Sequence, residues 1–319
     1  MSILSKPYFH DEKAAFEYVE SILWADGPEC PHCGGLERAY KLEGVRTKAS
    51  RKNPEGKERH GLWKCGHCRK QFTVRKGTIF EESHLPLTKW LQAIYLMVSS
   101  KKGISAHQLH RVLEVQYKTA WFLAHRIREA MRQGELAPFG QGGGGVEIDE
   151  TFIGTEPGAV KKAGVHHKMK VLTLVDRDTK QARSVVIDDL KPGTIAPIVS
   201  ENVSREAKIL TDQARHYKLT MGGYGGGHFS VDQSAKEYVS FTNPEVHTQT
   251  VENYYSVFKR GMKGTYQHCA KHHLHRYLAE FDFRYNHRSA NGVEDGERAV
   301  LALRGVKGKR LTYRGSDQA

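Results

Sequence analysis

The chain is short of cysteine, of long apolar runs and of phosphate-loop signatures. Five cysteines in 319 residues do not make a disulfide scaffold. Four of them fall in two close pairs, and Cys269 stands apart. In an unsecreted chain that pattern points to metal rather than to disulfides. No apolar run approaches the roughly 20 residues of a membrane span. The opening MSILSKPYFHDEK has no apolar core of a signal peptide, so the expectation is a cytoplasmic, nucleoid-associated protein with no membrane partner. The glycine run at 138–145 lacks the G-K-[ST] ending of a P-loop and reads as a flexible domain link.

What the chain has in excess is positive charge. Lys plus Arg number 49 against 36 acids, a formal net charge of +13. The pI is about 9.4 and the mean hydropathy −0.59, as for a soluble, polar protein. Such a surplus favours a polyanion, and without a membrane segment the better partner is nucleic acid. The length allows two or three domains with at least one sizeable core.

Residues 9–26 read as a helix, with Phe16, Val19, Ile22 and Leu23 at spacings of three and four. Gly27-Pro28 ends it. Cys30 and Cys33 then form one C-x-x-C knuckle, and Cys65 and Cys68 a second. Two knuckles supply four thiolates to a tetrahedral Zn²⁺. Four closed ligands leave no open position, so the zinc would be structural. Four free thiols or a redox pair are the competing explanations, and His32 and His67 read as filler. Residues 34–64 exceed the usual gap of about 15–20. The polar, basic segment Arg46 to His60 therefore reads as a loop extending a ribbon hairpin, with strands at 39–42, 62–64 and 71–74.

Residues 85–133 look helical. Leu87–Ser99 is one helix, with Trp90, Ile94, Tyr95 and Met97 as candidate core. Ser105-Ala-His-Gln108 has the pattern of a capping box opening a second. After a short turn, Thr119 to Met131 makes a third. Two helices joined this way, the second rich in basic residues, fit a helix-turn-helix. Its exposed side would carry Lys118, His125, Arg126 and Arg128. A plain helical bundle is the alternative.

After the glycine run, VEIDETFIG alternates as a strand, with Val146 and Ile148 on one face and Glu147 and Asp149 on the other. Strands at 167–178 and 182–189 follow, then a helix from an N-cap at Thr194 to about Asn202, then the strand Ala207–Asp212. Residues 228–241 form a further strand or hairpin. The helix around Thr250 to Lys263 carries Glu252 and, seven residues on and on the same face, Lys259. Asp149, Asp212 and Glu252 are far apart in sequence, yet such a layout can bring them together. Two Mg²⁺ ions in a phosphodiester-cutting site need hard oxygen ligands of this kind. Lys259 could then hold a DNA phosphate. Glu147 and Glu150 remain alternatives to Asp149, and Asp188 and Asp189 rival Asp212.

These segments resemble the zinc-ribbon DDE transposases of bacterial insertion sequences, the ISXO-type group related to Merlin elements. The resemblance is carried by CPHCG and CGHC, by GISAHQLHRVLEVQYKTAWFLAHRIREAM, and by VEIDETFIG, ILTDQARHY and TVENYYSVFKRGMKGTYQHCAKHHLHRYLAEFDFRYNHR, in order along nearly the whole chain. It implies an RNase H-like catalytic domain. It further implies Asp149, Asp212 and Glu252 as ligands of Mg²⁺ or Mn²⁺, Lys259 as their basic partner, and cut-and-join chemistry at element ends. Some relatives carry Asn as the third ligand, and Asn253 adjoins Glu252.

The expected fold is multi-domain α+β and α/β. An N-terminal helix spans 1–27, a zinc ribbon 28–82, a helix-turn-helix-like segment 83–137, the link 138–145, an RNase H-like mixed-sheet domain 146–290 and a basic tail 291–319. Residues 271–288 read as one helix. Its Arg276, Arg284 and Arg288, with Arg260 upstream, suit DNA backbone contact. His272 and His275 read as a solvated surface, and Cys269 as a bystander thiol. The tail reads as a loose arm or as disordered. The partners would be double-stranded DNA, as terminal inverted repeats and target, and further copies of the chain on that DNA. A regulator that binds DNA without cutting it, and an RNase H-like nuclease that cuts without joining, are the rival functions.

Overall fold

Asp11 opens the first long element. Its carboxylate accepts the Ala14 N–H at 2.7 Å, and helix α1 runs Glu12–Leu23 behind that cap. The computed structural model describes residues 2–51, 53–134 and 137–311. Contacts divide the chain into two units, one of residues 1–100, 104–131 and 294 onward, the other of 101–103 and 132–293. No described helix is long and apolar enough to cross a membrane.

In the first unit, β1 (Ala39–Lys41), β2 (Trp63–Cys65) and β3 (Gln71–Phe72) form an antiparallel ribbon in that order. Trp24, just after α1, packs edge-on against Trp63 and Phe72 at 5.9 and 5.8 Å. The basic insertion is a hairpin arm rather than a plain loop. Arg46 bridges Glu58, and the Thr47 N–H donates to the Lys57 carbonyl at 2.8 Å. Helices α2 (Leu87–Ser99), α3 (Ala106–Leu113) and α4 (Tyr117–Met131) follow. Ser105 caps α3 through the Gln108 N–H at 3.1 Å. Glu114, left-handed at φ 52°, turns the chain from α3 to α4.

The C-terminal segment corrects the expectation of a loose tail. Asp295–Arg304 is a helix packed against α1, α2 and α4, with Ala302, Leu303 and Val306 buried. These apolar residues recur at helical and turn spacing, and burying them outweighs the solvation of the flanking bases. Residues 312–319 lie outside the described residues.

In the second unit the glycine run is pinned rather than flexible. The Gly140 N–H donates to Asp176 and the Gly142 N–H to Glu206, both at 2.8 Å. Gly140 has φ +71°, and a Cβ there would meet the Ala207 methyl at 2.4 Å. Only glycine allows that approach. Then come β4 (Gly145–Ile153), β5 (Met169–Asp176) and β6 (Ala182–Ile187), a helix α5 (Pro192–Asn202), β7 (Lys208–Asp212), a short α6 (Arg215–Thr220) and β8 (His228–Val231). The strand order is β6-β5-β4-β7-β8, antiparallel through β6, β5 and β4 and parallel through β4, β7 and β8. Helix α5 starts two residues before Thr194, because Pro192 supplies the preset φ of a first helical turn. The Thr194 hydroxyl donates to Asp189 instead, at 2.6 Å.

Alternation along β4 assigns its faces. Val146 and Ile148 join Leu172, Leu174 and Ile209 in a core closed by Ile195 and Val199 of α5. The opposite face is covered by α7 (Gln249–Gly261) and α8 (Lys271–Asn286), which bring Val251, Tyr254, Tyr255 and Phe258, and Leu274, Leu278 and Phe281, onto Val171 and Val175. Each fully buried large side chain stabilises this layer by about 1.5–3 kcal/mol.

Candidate functional site

The two strands carrying Asp149 and Asp212 are neighbours. β4 and β7 pair in parallel as Gly145↔Lys208, Val146↔Ile209 and Glu147↔Leu210. Carrying that register two residues further sets Asp149 beside Asp212, on the face shared by Glu147. That face looks toward α7. Val251, Tyr254, Tyr255 and Phe258 hold α7 down, and its outer flank carries the half-buried Glu252 and the exposed Lys259.

Electrostatics report the proximity. Asp149 is held well above the usual carboxylate range, first by burial and then by the negative charges of Glu150, Asp212 and Glu252. Asp212 is also raised, by burial and by Glu150, against the opposing pull of the Ala214 N–H. That N–H donates to Asp212 Oδ1 at 2.9 Å and sets the turn into α6. Thr248 donates its hydroxyl to Glu252 Oε1 at 3.0 Å. Tyr255 donates its hydroxyl to the Asp149 carbonyl at 2.6 Å, and Lys259 Nζ lies 5.8 Å from the Tyr255 ring centroid. Asn253 is exposed.

The sequence alternatives separate. Glu147 is fully buried, with both carboxylate oxygens taken by Thr250, Val251 and Arg177. Glu150 accepts the buried Tyr217 hydroxyl at 2.6 Å and lies 3.5 Å from His216, so it borders the acid cluster as a neighbour of Asp149 and Asp212. Asp189 caps its own turn, and Asp188 pairs with Lys271 at 2.7 Å. Both follow β6, the strand at the far edge from β7 and β8.

In the other unit, the sulfurs of Cys30, Cys33, Cys65 and Cys68 all lie within 4.8 Å of one another. Cys30 and Cys68 are 3.7 Å apart, and Cys33 and Cys65 3.6 Å. A tetrahedron with Zn–S of about 2.3 Å has edges of about 3.8 Å, so the four thiols fit a zinc ion. The Cys68 N–H, opposed by burial and helped by the His67 N–H, draws the Cys65 thiol down to about 7. Among the described residues this is the group gathered tightly enough to meet that 4.8 Å spacing. His32 sits 3.4 Å from the Gln71 carbonyl, outside the cluster.

The basic residues divide. Lys118 and Arg260 are exposed. Arg276 is half-buried, with its guanidinium 3.0 Å from His273. Arg126 and Arg128, expected on an exposed side, are 5% and 3% exposed, and His125 is buried with them. α2, α3 and the C-terminal helix cover α4. Arg126 donates to the Glu81 carbonyl at 2.6 Å and stacks over Trp90 and Phe122. Arg284 is likewise buried, paired with Glu280. Arg288 packs on the Tyr285 ring at 3.9 Å. Charge type alone does not distinguish a stacked core arginine from a surface one. His272 is exposed, with Nε2 3.1 Å from that of His273.

Residues 141–286 match an ISXO2-like transposase domain, and residues 10–71 match a transposase zinc-ribbon domain. The chain is also similar to an uncharacterized protein in transposable element ISH50 of Halobacterium salinarum. It is 24% identical over 296 residues, which cover 86% of this chain and 91% of that protein.

Proposed function

Because the chain belongs to the zinc-ribbon DDE transposases of insertion sequences, we propose that it cuts phosphodiester bonds at the ends of its element and joins the freed 3′ ends to target DNA. Asp149, Asp212 and Glu252 would hold Mg²⁺, or Mn²⁺ in its place. Their oxygens are hard ligands, and burial, with the added repulsion of Glu150, Asp212 and Glu252, holds the Asp149 carboxyl up, a cost that a divalent cation relieves. When bound, two such ions activate the attacking oxygen and stabilise the leaving one. Lys259 faces the same flank of α7 as Glu252 and would hold the scissile strand's phosphate. Tyr255 fixes the backbone at Asp149 from beneath. Glu252 is the third acid in preference to Asn253, since its charge reaches Asp149.

The sheet order β6-β5-β4-β7-β8, with three antiparallel strands followed by two parallel ones, supports an RNase H-like fold for 146–290. The cysteine ribbon would be held by Zn²⁺. DNA would meet the N-terminal end of α4, where recognition helices present their first turn. Lys118 is exposed there, and Tyr117 stacks on His107 at 4.3 Å. Arg260 and Arg276 would contact the backbone near the acids. With one acid site among the described residues of each chain and two ends to an element, the working species would be a homo-oligomer on the element's double-stranded DNA. It would act in the cytoplasm, at the nucleoid.

The observation that carries this proposal is the parallel register of β4 and β7, which sets Asp149 beside Asp212 on the sheet face that α7, the helix of Glu252, covers. The test is Asp149→Ala in the full-length protein, assayed with Mg²⁺ on duplexes carrying the element's ends. Cleavage should fall by about 10³-fold or more while end binding persists. Undiminished cleavage would remove Asp149 from the site. Strand transfer from pre-cut ends by the unaltered protein separates a transposase from a nuclease that only cuts.

A further inference from the structure

We propose that Glu147 is a positioning residue of the acid site, acting with Arg177 to set the distance between Asp149 and Glu252. This rests on the function proposed above and adds a part to it. Glu147 lies on β4 two residues before Asp149 and on the same face. Its side chain is fully buried. Oε2 accepts the backbone N–H groups of Thr250 and Val251, at 2.8 and 2.9 Å. Oε1 accepts the Thr250 hydroxyl and the Arg177 Nε–H, both at 2.7 Å.

Those N–H groups belong to the first turn of α7, and Glu252 directly follows Val251. A helix usually meets its unpaired first-turn donors with a side chain of its own N-cap. Thr248 stands at the N-cap of α7 and makes no such bond. The acceptor comes instead from the strand that bears Asp149. Capping and docking are therefore one interaction, and α7 cannot shift along β4 without breaking it.

Arg177 completes the clamp. It sits at the end of β5, and besides Glu147 it donates to the carbonyls of Glu245 and His247. It thereby holds the segment that leads into α7. A carboxylate buried this deeply would be strongly unfavourable without a guanidinium and several N–H donors. A surface cap would satisfy the same helix with less desolvation, so stability alone gives no reason for a buried ion pair here. Supporting groups behind metal ligands typically change metal affinity by about 10–100-fold when altered.

The experiment measures Mn²⁺ binding to the full-length protein by the loss of the free-ion electron paramagnetic resonance signal. Mg²⁺ half-saturation of end cleavage and thermal unfolding are measured alongside. Glu147→Gln keeps the shape but sets its NH2 against a donor, either the α7 N–H groups or the Arg177 Nε–H. It should weaken Mn²⁺ binding about 10–100-fold, with cleavage recovering at high metal. Thr250→Val removes one hydroxyl bond and keeps the fold, and should weaken binding several-fold. It decides the matter if Glu147→Gln does not fold. A purely structural clamp would lower the melting temperature and leave the metal affinity of the folded protein unchanged, and that result overturns the proposal. Asp149→Ala runs in parallel. If it abolishes cleavage while the other variants bind metal normally, the positioning role falls and the transposase function stands. If it cleaves normally, the acid site itself is misassigned.

Discussion

The cysteine ribbon and the proposed acid site draw their residues together by opposite routes. The thiols come from two knuckles, each closed within four residues, and their sulfurs meet at 3.6–3.7 Å. The acids come from the middle of β4, the end of β7 and the first turn of α7. In the ribbon the ligands make the fold. At the proposed acid site the fold would make the ligand set, with Glu147 and Arg177 holding the parts in place. Removing metal should therefore act on structure in one region and on chemistry in the other.

Zinc removal breaks this contrast most sharply if the contrast is wrong. Chelation, or Cys68→Ser, should unfold the ribbon, because structural zinc contributes roughly 10–16 kcal/mol of apparent binding energy to such small domains. Chelating Mg²⁺ should leave the α/β unit folded and stop cleavage only. Protease sensitivity within 30–72, compared with the melting of the rest, reads both outcomes. A ribbon that survives without metal would mean that Trp24, Trp63 and Phe72 suffice as its core.

The helical segment gives a smaller effect. Arg126→Ala should cost roughly 2–4 kcal/mol, since it removes a buried guanidinium and leaves the Glu81 carbonyl without that donor. Lys118→Ala, at an exposed position, should change stability by less than about 0.5 kcal/mol. It should weaken DNA binding and flatten its salt dependence. Urea unfolding and a salt titration of end binding separate the two. Equal stability of both variants would return Arg126 to the surface face.

Short-range pattern is what the sequence makes legible, and long-range partnership is what it hides. The C-x-x-C spacing, the alternation of Val146 to Asp149, and the seven-residue step from Glu252 to Lys259 each fit inside one local window, so the residues alone reveal them. The burial of Arg126 and Arg128 depends on α2 and on a C-terminal helix far along the chain, and no window around α4 contains that information. The tail reads as loose for the same reason, because its apolar residues gain a partner only in the folded unit. Glu147 reads as a rival to Asp149, since its role is defined by N–H groups at Thr250 and Val251. The glycine run reads as flexible because its anchors, Asp176 and Glu206, lie downstream.

A buried acid on α8, against the sheet that carries the proposed acid site, tests the same contrast more finely. Asp282 of α8 accepts the Tyr254 hydroxyl at 2.5 Å, and the hydroxyl and N–H of Ser184 at 2.7 and 2.8 Å. Ser184 also meets Thr173, which pairs with Asp149 across β4 and β5. Burial pushes Asp282 up to about 6, against these donors and the Arg183 charge. A raised carboxyl favours its protonated form in the fold. Its stabilising contribution is thus complete below about pH 4 and is lost as pH rises through about 6. Between pH 5 and 7.5 that loss should amount to about 1–2 kcal/mol. Asp282→Asn stays neutral, so it should lose less stability than the parent over that interval. Urea unfolding of both at the two pH values gives the difference. Parallel pH profiles would mean that Asp282 stays charged in the fold, held by Tyr254 and Ser184 as firmly as Glu147 is held by α7.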